Sequence, residues 1–307
     1  MTNALQTPLR DLHTEDGRVF VKDETAQIGG SFKFRGPDRF FEKHPEIRAV
    51  VTASSGNHAI GVSNAAKMNG AKATIYLPEN TPEAKLSKIQ QAGGICRMVP
   101  GSYEDALSAA IAHAEAGPDT LLPSYDHPEI IAGNGGLYDE AEAQAGTRFD
   151  RIAVPVGGGG CVSAAIHYAA RNGARVLAAE YAPFERIRQI ALEQQGDDIQ
   201  TDHPAAPSTE GIAIRTLGKL NRQIIASCPT LDLAQVTYEE MLAACRWLYD
   251  SFGIMAELGA SAGVAAALKH RAQGASTLCV VTGGNIDPTL HAELMAGPSS
   301  PPDRGKD

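Results

Sequence analysis

Short apolar runs alternate with longer amphipathic, alanine-rich stretches along most of this chain of 307 residues. The apolar runs predict buried strands, and the periodic stretches between them predict helices. The predicted strands are 47–54, 72–77, 95–99, 152–156, 175–180 and 277–282. The predicted helices are 57–69, 82–91, 103–116, 161–172, 238–251 and 261–270. Strands that alternate with helices of this length predict βαβ units and an α/β fold with mainly parallel sheets.

Two of the predicted helices carry local start signals. Thr81 and Pro82 predict an N-cap followed by a proline in the first helical position. Thr237 and Glu240 have the spacing of a capping box. The Pro/Ser-rich residues 297–307 predict a disordered tail.

Composition and charge exclude several classes of partner. Apolar residues make up 43% and charged residues 21% of the chain, which is typical of a soluble globular protein. The net charge of −9 argues against a nucleic-acid partner and favours a small-molecule substrate. No apolar run is long enough to span a membrane, and the N-terminus lacks a signal-peptide pattern. The five scattered cysteines fit reduced thiols, so we expect a cytoplasmic protein.

Lys33 stands between two phenylalanines in the stretch Gly29–Gly36, whose sequence is GGSFKFRG. A Gly-Gly turn lets the chain bend sharply, and aromatic neighbours keep water away from the amine. Since a desolvated amine holds its proton less tightly, its neutral form can attack a carbonyl carbon. The alternative is an ordinary lysine on a solvated surface.

A second motif, Ser54-Ser55-Gly56-Asn57-His58, lies where a predicted strand meets a predicted helix. The N–H groups at a helix N-terminus bind anions, and small residues there let a carboxylate approach closely. The alternative is that Ser55 or Asn57 only caps the helix.

Gly157, Gly158, Gly159 and Gly160 follow another predicted strand and precede another helix. Successive glycines expose backbone N–H groups in a concave arrangement that suits a phosphate. The alternative that involves no ligand is a tight turn.

A dinucleotide site is a second alternative for the same glycines. Gly158, Gly160 and Ser163 approximate the dinucleotide-binding spacing, with Glu180 at the end of the next strand, as in an NAD-dependent dehydrogenase. That reading leaves the Lys33 motif and the Ser54–His58 motif without a role.

The last predicted strand ends in Thr282-Gly283-Gly284-Asn285. A threonine hydroxyl there could hydrogen-bond a ring nitrogen, while the glycines leave room for the ring. A Gly-Gly-Asn turn is the alternative.

In this order the four motifs resemble the fold-type II pyridoxal-phosphate (PLP) enzymes, and most closely the threonine dehydratases and serine racemases. The resemblance spans roughly residues 7–290. It implies two doubly wound parallel-sheet domains of the tryptophan synthase beta-like type, with PLP in the cleft between them. The small domain would be 49–134, and the large PLP-binding domain 1–48 with 135–296.

The resemblance also implies a role for each motif. Lys33 would form the Schiff base with PLP and then take the Cα proton of the substrate, and Ser55 would be the acid/base on the opposite face in a racemase. The cofactor-binding residues would be Lys33, Phe32, Asn57, Gly157, Gly158, Gly159, Gly160, Glu257 and Thr282. The substrate-binding residues would be Ser54, Ser55, Asn57, His58 and Asn134.

The implied reaction is β-elimination of water from L-threonine, L-serine or a related 3-hydroxy-amino acid, which gives a 2-oxo acid and ammonia. A neutral threonine facing the ring nitrogen favours such a lyase, because the carbanion is then less delocalised. Amino-acid racemisation and β-replacement or threonine synthase chemistry remain alternatives, and family members are commonly homodimers.

The chain departs from the family pattern at several positions. Asn134 replaces a glutamine, Glu210 an aspartate and Leu258 a proline, which leaves the substrate open. Relatives with a divalent cation use a glutamate and, six residues later, an aspartate; here these positions are Glu180 and Arg186. We expect no metal, because arginine cannot be a ligand and could itself supply the charge. Glu180 with Glu185 would be the alternative ligand pair.

The sequence ends shortly after the last motif. This predicts an enzyme without the regulatory domain of the allosteric threonine dehydratases.

Overall fold

The computed structural model describes residues 2–14, 17–184, 186–187, 206–214 and 216–297. The strands in these ranges are β1 (Leu9–Thr14), β2 (Gly17–Asp23), β3 (Ala49–Ala53), β4 (Lys72–Pro78), β5 (Ile95–Val99), β6 (Thr120–Leu121), β7 (Arg151–Pro155), β8 (Arg175–Tyr181), β9 (Leu231–Val236) and β10 (Ala275–Val281). The helices are α1 (Arg35–Lys43), α2 (Asn57–Met68), α3 (Glu83–Gln91), α4 (Tyr103–Ala116), α5 (Pro128–Ala145), α6 (Gly160–Asn172), α7 (Lys219–Ala226), α8 (Tyr238–Phe252), α9 (Ala262–Lys269) and α10 (Pro288–Ala296).

The chain forms two compact units. Unit 1 consists of Met1–Thr7 and Ala26–Gly136, and unit 2 of Pro8–Thr25 and Leu137–Asp307. Residues 26–48, which the sequence analysis assigned to the large domain, therefore belong to unit 1. The reason is the packing of α1, whose phenylalanines Phe40 and Phe41 are buried in the same apolar cluster as Val62 of α2.

Unit 1 is built on a four-stranded parallel sheet in the order β5-β4-β3-β6. Successive residues of β3 face opposite sides, as the period of a strand requires. Val50 packs in the cluster that contains residues of α1 and α2, whereas Val51 packs with Ala106 and Ala110 of α4. Helices thus cover both faces of this sheet.

Unit 2 is built on a six-stranded sheet in the order β1-β2-β10-β7-β8-β9. Only β1 runs antiparallel to its neighbour, and the other strands are parallel. Helix α9 packs closely on this sheet at Gly263, where an added Cβ would lie 2.8 Å from the carbonyl oxygen of Ala153. Apolar residues of α8, such as Met241, complete the core on that side.

The predicted α/β fold with mainly parallel sheets is confirmed, and each predicted strand has its observed counterpart. The capping box at Thr237 and Glu240 is present, with both reciprocal hydrogen bonds formed. The predicted N-cap at Thr81 is wrong. Pro82 occupies that position, and the Thr81 hydroxyl instead donates to the carbonyl oxygen of Pro78 at 2.7 Å.

Two predictions concern residues that the structure does not describe. Residues 298–307 of the predicted tail and Glu185 lie outside the described residues.

Among the helices that are described, none is both long and apolar enough to cross a membrane.

Candidate functional site

A tight turn in unit 1 leads the chain to Lys33. Gly29 and Gly30 both have positive φ values, of 75° and 73°, which glycine adopts without strain. Gln27 fixes this turn, because its carbonyl oxygen accepts from the Gly30 N–H at 2.8 Å and its side-chain oxygen accepts from the Ile28 N–H at 3.0 Å. Lys33 then lies in the short 3-10 helix Phe32–Phe34.

The amine of Lys33 has a defined position. Its Nζ donates to the carbonyl oxygen of Ser124 at 2.9 Å. It also lies 5.2 Å from the centre of the Phe32 ring and 5.9 Å from that of the Tyr125 ring. Lys33 is thus a half-buried amine between aromatic rings, unlike a lysine that extends into water.

Helix α2 packs directly against the backbone of Lys33. A Cβ added at Gly61 would lie 2.5 Å from the carbonyl oxygen of Lys33 and 3.0 Å from the backbone nitrogen of Phe34. Only glycine permits this approach, since real Cβ atoms do not come so close to other backbone atoms. Gly61 therefore sets the distance between α2 and Lys33.

The Ser54–His58 motif connects β3 to α2, as predicted. Gly56, which has no side chain, is the N-cap of α2. The Ser54 hydroxyl accepts from the Gly56 N–H at 3.3 Å. Neither Ser55 nor Asn57 is therefore the N-cap residue, and the N-terminal N–H groups of this twelve-residue helix suit an anion.

His58 is buried and electrically neutral. Burial, reinforced by the nearby charge of Lys33, lowers the pKa of His58 to about 3. Its Nε2 lies 3.2 Å from the carbonyl oxygen of Leu122, so Nε2 carries the proton and donates it. Nδ1 is then a hydrogen-bond acceptor, and none of the described residues donates to it.

Asn134 lies inside helix α5 and is also buried, and within the part of the chain that the structure describes its side-chain oxygen has no hydrogen-bond partner. Buried acceptors without donors are uncommon and require an explanation. Each of these two acceptors, the Asn134 oxygen and the His58 Nδ1, could take a hydrogen bond from a bound ligand.

The four consecutive glycines Gly157–Gly160 of unit 2 connect β7 to α6, and Gly160 is the first residue of that helix. Gly159 has a φ of 103°, and a Cβ there would lie 2.5 Å from the Cβ of Asn221 in α7. A Cβ at Gly157 would lie 2.4 Å from the carbonyl oxygen of Gly211. At Gly157 and Gly159 the loop thus needs glycine, because neighbouring segments lie against it.

A buried ion pair supports this loop. The carboxylate of Glu180, at the end of β8, accepts from the Arg186 Nε at 3.1 Å and from the Arg186 backbone N–H at 2.9 Å. Both side chains are at most 1% exposed. Burial raises the pKa of Glu180 to about 7, and the attraction of Arg186 opposes that rise. The guanidinium of Arg186 also donates to the carbonyl oxygens of Val156 and Gly157, both at 3.0 Å.

Glu257 and Thr282 lie in the remaining part of unit 2 that the sequence analysis singled out. Thr282 is half-buried and directly follows β10. The Glu257 carboxylate accepts from the Asn285 N–H, and the Glu257 N–H donates to the Gly283 carbonyl oxygen, both at 3.0 Å. Glu257 thus holds the chain in place just after Thr282.

The residues predicted for the site divide between the two units. Unit 1 contains Phe32, Lys33, Ser54, Ser55, Asn57, His58 and Asn134, and unit 2 contains Gly157, Gly158, Gly159, Gly160, Glu180, Glu257 and Thr282. Across the described ranges, no group of three or more histidine, cysteine, aspartate or glutamate side chains is placed to hold a metal ion.

Sequence reasoning missed three residues that shape these regions. Nothing in the sequence marks Gly61, because a glycine in a helix has no local signature of close packing. Asn221 is buried in α7 and accepts from the Ser163 hydroxyl at 2.7 Å, a contact between positions distant in sequence. Ser208 has a φ of 62°, rare for a residue other than glycine, and its hydroxyl accepts from the Leu258 N–H at 3.0 Å.

Residues 2–283 match a family model described as pyridoxal-phosphate dependent enzyme, so the chain belongs to that family. It is 31% identical over 287 residues to the biosynthetic L-threonine dehydratase of Mycobacterium leprae, with 90% of this chain and 66% of the relative aligned. It is also 31% identical over 303 residues to the L-threo-3-hydroxyaspartate ammonia-lyase of a Pseudomonas species, with 96% and 94% aligned. The chain thus spans just under two thirds of the length of the first relative and nearly all of the second.

A solved structure supports the same grouping. Maize serine racemase superimposes with a TM-score of 0.83 at 26% identity, and the match covers 95% of this chain and 92% of that protein. The predicted family is confirmed. The dehydrogenase alternative is not supported, and Glu180, which it would use for a ribose hydroxyl, is already bound by Arg186.

The residues present fit the cofactor of this family. A half-buried lysine amine, a glycine loop at the start of α6 and a neutral hydroxyl at the end of β10 are chemically suited to an aldehyde, a phosphate and a ring nitrogen respectively.

Proposed function

We propose that this protein is a PLP-dependent ammonia-lyase. It would eliminate water from L-threonine, L-serine or a related 3-hydroxy-amino acid and release a 2-oxo acid and ammonia. The observation that carries the proposal is the fixed, half-buried amine of Lys33, held by the Ser124 carbonyl oxygen between two aromatic rings. The L-threonine dehydratase and the L-threo-3-hydroxyaspartate ammonia-lyase among its relatives support the same reaction class.

Each half of the proposed site would have its own task. In unit 2, the N–H groups of Gly157–Gly160 and of the first turn of α6 would hold the phosphate of PLP, and Thr282 would face its ring nitrogen. In unit 1, Lys33 would hold the cofactor, flanked by Phe32, and Asn57 would hydrogen-bond its phenolic oxygen. Bound PLP supplies the electron sink that makes the Cα proton acidic.

The remaining steps use groups of unit 1. The α2 N-terminus with Ser54 and Ser55 would bind the substrate carboxylate, because its N–H groups carry partial positive charge. Lys33 would take the Cα proton at its Nζ, and the hydroxyl would leave from Cβ with a proton as water. The enamine released would gain one water and lose ammonia, giving the 2-oxo acid.

His58 and Asn134 are proposed to contact the substrate through their acceptor atoms. Because His58 stays neutral, its Nδ1 can accept from an ammonium or hydroxyl group but cannot donate. A carboxylate on the substrate side chain would meet no donor at either atom.

The test is the release of 2-oxo acid and ammonia from a panel of L- and D-3-hydroxy-amino acids. We expect turnover of L-threonine or L-serine in the wild type, none in Lys33→Ala, and unchanged turnover in Lys72→Ala, which removes an exposed lysine of unit 1. A wild type that binds PLP but releases neither product from any member of the panel would contradict the proposal.

Racemisation is the second candidate. Gly56 and not Ser55 is the N-cap residue of α2, and the similarity to maize serine racemase supports an acid/base role for Ser55. If the protein racemises serine, Ser55→Ala should abolish formation of D-serine while elimination continues. Equal loss of both activities would assign Ser55 to substrate binding alone.

We also propose a cytoplasmic homodimer. Five free cysteines and no disulfide support a reducing compartment, and the family resemblance supports the dimer. Light scattering of the purified protein would measure its mass, and a monomer would contradict this part of the proposal.

A further inference from the structure

Arg186 makes an unusual set of contacts for a buried arginine. Its side chain is 1% exposed, and its guanidinium donates to four backbone carbonyl oxygens besides the Glu180 carboxylate. Two of the four carbonyls belong to the start of the glycine loop, and two belong to the segment 206–214. In order they are Val156 at 3.0 Å, Gly157 at 3.0 Å, Ile212 at 3.3 Å and Ile214.

These contacts determine how the glycine loop is oriented. No peptide bond in the described residues is cis, so each carbonyl points opposite to the N–H of the same peptide unit. Arg186 binds the carbonyls of Val156 and Gly157, so it turns the N–H groups of Gly157 and Gly158 away from itself. The Gly158 carbonyl oxygen accepts from the Gly218 N–H at 3.1 Å. The N–H of Gly159, in the same peptide unit, therefore points away from Gly218.

Three consecutive carbonyls of this loop are thus held by protein donors, two of them on one guanidinium. Because the backbone of glycine is conformationally free, a glycine loop without these bonds would sample many orientations and lose conformational entropy on binding a ligand. A loop whose N–H groups are already aligned binds an anion without that cost. The planar guanidinium suits this task, since it presents several donors in a rigid arrangement.

We propose that Arg186 is a positioning residue for the phosphate of PLP. It does not touch the phosphate; it acts through the Val156 and Gly157 carbonyls, which fix the direction of the loop N–H groups. Glu180 holds the guanidinium in place by its bond to Nε and balances its charge. This inference rests on the proposed role of Gly157–Gly160, but not on the reaction that the enzyme catalyses.

The proposal predicts a defect that is specific to the phosphate. Lysine at this position keeps the charge but has one nitrogen, which cannot serve two carbonyls and a carboxylate with the geometry of a guanidinium. Arg186→Lys should raise the dissociation constant for PLP by about tenfold, as expected from losing charge-assisted hydrogen bonds. The dissociation constant for pyridoxal, which lacks the phosphate, should not change.

Equilibrium dialysis of the apo-protein with PLP and with pyridoxal measures both constants without any need for turnover. Arg171→Lys is the matched control, because Arg171 is an exposed arginine of unit 2 that pairs with Asp139. It should bind both compounds as the wild type does. If Arg186→Lys weakens the binding of PLP and of pyridoxal equally, or changes neither, the proposal is wrong and the role of Arg186 is only structural.

A second variant covers the case in which Arg186→Lys does not fold. Glu180→Gln retains an oxygen for the Arg186 Nε but removes the negative charge that holds the guanidinium. It should raise the dissociation constant for PLP by about threefold and leave that for pyridoxal unchanged. An unchanged ratio of the two constants in this variant would overturn the proposal. Failure of the wild type itself to bind PLP would instead overturn the proposed function.

Discussion

Gly61 of α2 lies so close to Lys33 that a methyl group at Gly61 would come within 2.5 Å of the Lys33 carbonyl oxygen. This contact joins the helix that follows the Ser54–His58 motif to the backbone of the lysine itself. The backbone of Lys33 is therefore positioned by a residue that carries no functional group.

Gly61→Ala should displace Lys33 and impair the enzyme more than it destabilises the fold. We expect activity to fall on the order of a hundredfold, as a misplacement of about 1 Å can cause, and stability to fall by about 1–3 kcal/mol from overpacking. Steady-state kinetics and urea denaturation measure the two effects.

Gly136→Ala is the control for Gly61→Ala. Gly136 is an exposed residue of α5, and an added Cβ there would meet no atom within 4 Å. Alanine also favours a helix over glycine, so stability should rise slightly. Wild-type activity in Gly61→Ala would show that the Lys33 backbone can shift without consequence.

The neutral state of His58 predicts a loss of stability in acid. The pKa of His58 is about 3 in the folded protein, against 6.5 for an unperturbed histidine. Below pH 6.5 the unfolded chain takes up a proton that the folded chain does not, so stability falls as the pH falls from 6.5 toward 3. Between pH 7 and pH 5 this group alone should remove about 2 kcal/mol.

Urea denaturation of the apo-protein at pH 7 and pH 5 tests this effect against His58→Gln. Glutamine can still donate to the Leu122 carbonyl oxygen but does not titrate. The variant should lose about 2 kcal/mol less than the wild type between the two pH values. Parallel losses in both proteins would mean that His58 is protonated in the folded state.

Thr282 offers a test of the proposed contact with the cofactor ring. Thr282→Ser keeps the hydroxyl, and Thr282→Val keeps the shape but removes it. The valine variant should bind PLP about tenfold more weakly, since it leaves the ring nitrogen without a partner, whereas the serine variant should resemble the wild type. Equal affinity for PLP in the wild type and both variants would show that Thr282 does not contact the cofactor ring.

A chelator should not affect this protein. Backbone carbonyls and a carboxylate form the oxygen ligands that hard cations prefer, but here the Arg186 guanidinium occupies that oxygen set. Dialysis against EDTA should therefore leave both PLP binding and turnover unchanged, and added Mg²⁺ should not raise either. Loss of activity on dialysis, restored by Mg²⁺, would contradict this prediction.

The sequence predicts local structure well wherever the pattern is local. Helix α4 has the predicted bounds, and the motif at Ser54–His58 lies at the predicted strand–helix junction. Helix α5 was not predicted, because Gly133, Gly135 and Gly136 lower its intrinsic propensity and packing in the folded protein overrides that preference.

The parts of the site that escaped prediction depend on contacts between distant segments. Arg186 was noted only as a departure from a cation site, and nothing in its neighbours shows that four carbonyl oxygens surround it. The placement of residues 26–48 likewise follows from the packing of α1 and from the contact between Gly61 and Lys33. Such contacts have no signature in a local window of sequence.

The order of strands in unit 2 constrains how the chain can assemble. Strand β2 pairs with the adjacent strand β1 on one side and, on the other side, with β10, which lies far from it in the sequence. Pairing over such a separation is slow, because closing the intervening chain lowers its conformational entropy before any stabilising contact forms. One edge of the β1–β2 hairpin therefore stays unpaired until β10 has been synthesised, and during that time it is a surface that a chaperone could shield from other strands.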